Sequence, residues 1–157
     1  MDASAFRERG NRKSPEEEKE QKQLKSERLL LTWLINENSL FDKLKGVLSP
    51  DDFYEPVYHD IAIQLYDQYE KEGKVIPAAI MNRYQSKEEH EIASAIMQQN
   101  FDMELAQDEK EKAITDLVRR VRQRSIAHQM ELAQGDLNKT GQLMIEQSKI
   151  NKIKITL

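Results

Sequence analysis

His59 and Asp60 stand side by side near the end of "LSPDDFYEPVYHDI", residues 48–61. An adjacent His-Asp pair serves as a ligand set in helical metal-dependent phosphohydrolases. Such a site needs further histidines and another acid converging on the same ion. The chain offers only His90 and His128 besides, each in a polar segment. Asp60 also falls on the polar side of the helix that the pattern predicts around it. These features favour a helix-to-helix corner over a catalytic centre. No catalytic residue, metal ligand or cofactor site is assigned.

Other chemistries fare no better. There is no cysteine, so thiol catalysis, disulfides and cysteine-held metal clusters are excluded, and a reducing cytoplasm is admitted. The five glycines are scattered and form no phosphate-cradling loop. Paired carboxylates sit in charge runs such as "EEEKE", which read as solvated faces. "RRVRQR" at 119–124 could hold phosphates, but its arginines spread around a helix and have no aromatic neighbours for base stacking. Pairing with acids of the body or of a protein partner fits them better, and direct nucleic-acid binding is not expected.

The elements that must position these residues are helices. A charged fraction of 33% with scarce Gly and Pro favours helix over sheet. Residues 1–14 read as a flexible leader. Helix starts are marked by Ser14-Pro15-Glu16-Glu17, Ser49-Pro50-Asp51-Asp52, Glu55-Pro56 and Ser86-Lys87-Glu88-Glu89, and Gly46 and Gly73 mark stops. Val57, Tyr58, Ile61, Ala62, Leu65, Tyr66 and Tyr69 make one apolar stripe, with Asp60, Gln64, Asp67 and Lys71 opposite. In the long helix predicted over 104–134, Ile114, Leu117, Val118 and Val121 form one stripe. Ile126, Met130 and Ala133 form another, about 140° round the axis at 100° per residue.

A split of that kind implies two packing partners. The second stripe predicts a helical hairpin, with "GDLNKTG" (135–141) as its turn and Leu143, Ile150, Ile153 and Leu157 at helical spacing on the last arm. The fold class expected is all-α: a bundle over 15–125 and a hairpin over 126–157. Net charge divides similarly, −9 over residues 1–118 and +5 over 119–157. Leu143, Met144, Ile150, Ile153, Ile155 and Leu157, interleaved with Lys149, Lys152 and Lys154, read either as a face for a partner's groove or as closure of the hairpin on itself.

The span "ERLLLTWLINENSLFDKL…LSPDDFYEPVYHDIAIQLYDQYEKEGKVIP" resembles a module of bacterial replication, through Glu27-Leu29-Leu30, Asp51-Asp52-Phe53 and His59-Ile61. Two relatives share that module: the N-terminal domain of the replicative hexameric helicase and the C-terminal helicase-binding domain of bacterial DNA primase. In this chain a long basic helix and a hairpin come after the module, an order more similar to the primase domain. That resemblance implies a non-catalytic, cytoplasmic chain, monomeric alone, whose parent is a nucleotidyltransferase. Its implied partner is the hexameric helicase, docked by the hairpin through Leu143, Met144, Ile150, Lys152, Ile153, Lys154 and Leu157. The helicase's own N-terminal domain is the alternative.

Overall fold

The computed structural model describes residues 14–98 and 105–157; the leader expected over 1–14 lies almost wholly outside them. The described residues are helical, with no strand among them. In order come α1 (Pro15–Asn36), α2 (Leu40–Lys43), a 3-10 turn (Pro50–Asp52), α3 (Pro56–Glu72), α4 (Pro77–Met81), α5 (Lys87–Gln98), α6 (Gln107–Leu132), α7 (Leu137–Lys149) and a final 3-10 turn (Ile150–Lys152).

The helix starts follow local chemistry. Ser14 Oγ accepts from Glu17 N at 3.2 Å, and Ser86 Oγ accepts from Glu89 N at 3.1 Å, each satisfying a first-turn amide that has no partner within its helix. Glu55 caps α3 with one oxygen, which accepts from Val57 N and Tyr58 N at 2.8 and 3.0 Å. Gly73 closes α3 at φ +70°, where a β-carbon would be strained.

The main core gathers Leu30, Leu31 and Leu34 of α1, Phe41 of α2, Phe53, Ile61 and Leu65 of α3, Ile80, Ile96, and Ile114, Val118 and Val121 of α6. Each such side chain contributes about 1.5–3 kcal/mol by leaving water. Helix α1 runs through the middle, packing on α3, α5 and α6. It is pinned to α5 by Thr32 Oγ1, which donates to Ile96 O at 3.0 Å. Phe41 stacks on Tyr69 with ring centres 4.6 Å apart and meets Tyr66 edge-on, which seats α2 on α3.

One side-chain placement departs from the periodicity. Helical spacing puts Gln64 on the polar face of α3, yet it is buried, because Asp60 Oδ2 at 2.9 Å and the Tyr84 hydroxyl at 3.1 Å satisfy its amide. A buried polar group is tolerated when fully partnered, and helical spacing alone cannot reveal the partner.

Candidate partner-docking surface

The two stripes of α6 enter different clusters. Ile114, Leu117, Val118 and Val121 belong to the main core. Ile126 and Ala133 pack instead with Leu143 and Ile150 in a smaller cluster, flanked by Met130 and Ile153. The turn between α6 and α7 uses Gly135 at φ +92°, and Asp136 Oδ1 caps α7 by accepting from Lys139 N at 3.1 Å.

The last residues depart from expectation. Helical spacing puts Ile153 and Leu157 on the same arm as Leu143 and Ile150. Instead α7 ends at Lys149, a 3-10 turn comes next, and residues 153–157 run without helix back along α6. Ile155 is buried in the main core, with Ile153 and Leu157 packed against it. Backbone groups of this tail are held by side chains of α6. Arg119 donates to Ile153 O at 2.7 and 2.9 Å and to Asn151 O at 3.0 Å. Thr115 Oγ1 accepts from Ile155 N at 3.0 Å, and Glu111 Oε1 accepts from Leu157 N at 2.8 Å. The alternation Ile153, Ile155, Leu157 is that of an extended segment lying on a helix, and α6 supplies the partners that a strand would otherwise find in a sheet.

The residues expected to bind a partner therefore divide. Leu143 and Ile150 are 4% and 2% exposed, and they close the hairpin. Ile153 and Leu157 are half-buried against the bundle, while Lys152 and Lys154 are exposed. Met144 is 59% exposed. Three other large apolar side chains that periodicity does not single out are exposed, Leu137 (87%) and Ile145 (57%) of α7 and Leu132 (86%) at the end of α6. Leu137, Gly141, Met144, Ile145 and Ser148 fall within an arc of about 100° on α7, roughly 150° from Leu143 and Ile150. The available signal was the seven-residue step from Leu137 to Met144 across a small Gly141.

A polar corner also ties the hairpin to the bundle. Asp52, 4% exposed, accepts from Ser49 N at 2.9 Å, from Ser125 Oγ at 2.7 Å and from Arg122 Nη1 at 2.8 Å. Arg122 Nη2 reaches on to Glu146 of α7 at 3.0 Å. Beside this corner Tyr54 stacks on His128, with ring centres 3.6 Å apart. Burial and the Arg124 charge hold the His128 imidazole below its ordinary range, against the pull of Glu131. Glu27 of α1 is fully buried, and its Oε1 accepts from Tyr54 N and Glu55 N. Burial pushes the Glu27 carboxyl above its ordinary range, and those two amides partly offset it.

The opening His-Asp pair is committed elsewhere. His59 Nδ1 is 2.8 Å from Pro50 O, and Asp60 Oδ2 accepts from the Tyr84 hydroxyl. Among the described residues no three His, Asp or Glu side chains converge as metal ligands would. No described helix is long and apolar enough to cross a membrane.

A family model described as the DnaB-like helicase N terminal domain matches residues 19–123, two thirds of the chain. The chain belongs to this DnaB-like helicase N-terminal domain family. The match covers α1 through most of α6, which is the main bundle, and stops before the second stripe of α6 and the whole of α7. In this DnaB-like domain the Glu27 clamp, the Asp52 corner and Phe53 all lie within the matched span. Membership supports a non-catalytic, helicase-associated interaction domain of DNA replication. Comparison with curated proteins and with solved structures gives no match.

Proposed function

We propose that this chain is the helicase-docking domain of a bacterial DNA primase. In this reading it binds the N-terminal domain of the replicative hexameric helicase in the cytoplasm. It recruits primase, a nucleotidyltransferase, to the replication fork and modulates the motor. The bundle over 15–125 and the hairpin over 126–157 act as two functional parts, the second making first contact.

The observation that supports this most is the outer face of α7. Leu137, Met144 and Ile145 are exposed there, beyond the span matched by the family. Exposed apolar side chains sharing one helix face are a common mark of a protein interface. Met144 is the anchor of the docking surface, and Lys152 and Lys154 form its basic rim. Leu143, Ile150, Ile153 and Leu157 act from behind, by holding the hairpin and tail in place.

Binding of the chain to purified hexameric helicase tests this, with M144D and I145D as interface variants. A second reading is carried by the family match itself: the chain is the helicase's own N-terminal domain. That reading requires self-association, so sedimentation of the chain alone separates the two. A stable monomer that binds the helicase supports docking, and a self-assembled ring without affinity for it supports the second reading.

A further inference from the structure

Six buried side-chain nitrogen or oxygen atoms among the described residues have no hydrogen bond, and three of them belong to residues around one pocket of about 250 Å³: Glu27 Oε2, Gln23 Nε2 and His128 Nε2. A buried polar atom without a partner is costly, so three in one place need an explanation. Glu27 is 0% exposed and uses only Oε1 on the Tyr54 and Glu55 amides. The Gln23 amide is close enough to favour the ionised form of that carboxyl. The Glu131 carboxylate, 3.8 Å from His128 Nδ1, draws the ring proton to that nitrogen and leaves Nε2 as an acceptor. Tyr54 covers the His128 ring on one face at 3.6 Å, and its 62% exposure leaves the other face open. Three carboxylates line the pocket, those of Glu20, Glu27 and Glu55, against one arginine, Arg124.

We propose that this pocket binds a guanidinium group, that of an arginine side chain in a peptide or of free arginine. The planar cation stacks on the open face of Tyr54 and donates to the unpaired acceptors Glu27 Oε2 and His128 Nε2. Both atoms are covered, so the ligand enters as the Leu24 side chain, 38% exposed at the pocket edge, turns aside. Glu20, itself exposed, adds attraction from outside. A lysine ammonium fits less well, being a point charge with no plane to stack and no fork of donors. A nucleobase stacks in the same way, but the carboxylates repel the phosphates of any nucleotide. The pocket shares no residue with the outer face of α7, so the guanidinium site stands apart from the helicase reading.

Amide-resolved NMR titration of the full chain tests it with four probes: free arginine, arginine blocked at both ends, lysine blocked at both ends, and guanosine. The expected result is saturable shifts at the Tyr54 and Glu55 amides with arginine, and binding of blocked lysine weaker by about fivefold or more. E27Q, which keeps an oxygen for those two amides and is checked for helicity by circular dichroism, should weaken the tighter arginine probe about tenfold. R124Q, which removes the repelling charge, should tighten it about twofold. E20Q, at an exposed position, should weaken it about twofold and carries the test if E27Q does not fold. Preference for blocked arginine assigns the site to a peptide and preference for free arginine to the amino acid, and either upholds the guanidinium. Five results overturn the proposal: no saturable shift at those amides, lysine as tight as arginine, guanosine tighter than arginine, weaker arginine binding in R124Q, or unchanged affinity in a folded E27Q.

Discussion

Asp52 and Arg122 meet at 2.8 Å across seventy residues of sequence, and through that contact the turn after Ser49 grips the middle of α6. The same guanidinium reaches Glu146 of α7. One arginine therefore joins the turn after Ser49, α6 and α7. Asp52 is buried and the Arg122 side chain is 20% exposed, so removing one partner strands the other largely away from water. D52A should destabilise the chain by about 3 kcal/mol, and R122A by less, since Ser125 and Ser49 still satisfy the carboxylate. Urea unfolding of the two single variants and the double variant should return a coupling energy of about 1–3 kcal/mol.

The tail is part of the bundle rather than a loose end. Ile155 is 4% exposed, inside the main core. I155A should cost about 2–4 kcal/mol in urea unfolding, whereas alanine at the exposed neighbour Lys154 should change stability by less than about 0.5 kcal/mol. Equal small effects at both positions would show the tail to be detached.

Acid should act in opposite directions on two groups at the Tyr54 corner. The Glu27 carboxyl is raised above 4.5 in the fold, so between that raised value and 4.5 the folded state binds more protons than the unfolded chain. Stability from Glu27 therefore grows as pH falls through that window and is flat beyond it. His128 is lowered below 6.5, so from 6.5 down to its folded value the unfolded chain binds more protons and stability falls with acid. E27Q removes only the first effect. Urea midpoints measured from neutral pH down to 4.5 should fall more steeply for E27Q than for the parent. Parallel curves would contradict the placement of Glu27.

Much of this fold was legible because local chemistry and packing agreed. Ser14-Pro15, Glu55-Pro56 and Ser86 begin helices as their types require, and the stripe built on Ile61 and Leu65 faces the core. The split in α6 could be seen because it is a matter of angle along one helix. The failures came where a side chain's partner is distant in sequence. Gln64 is buried because Tyr84 meets it twenty residues later, and no period encodes that. Residues 153–157 carry spacings compatible with both helix and extended chain. Arg119, Thr115 and Glu111 decide between them by taking the tail's backbone groups. On the last arm, the sequence marks Leu143, Met144 and Ile150 together and does not single out Leu137 or Ile145. Leu143 and Ile150 were spaced to pack and did pack, which leaves Leu137, Met144 and Ile145 outside.

The central claim is that the outer face of α7 docks a helicase. Isothermal titration of the chain into the hexameric helicase measures it most directly, comparing the parent with M144D/I145D. The account predicts that M144D/I145D keeps its helicity and weakens binding at least tenfold, about 1.4 kcal/mol or more. Undiminished affinity of a folded M144D/I145D variant would contradict it.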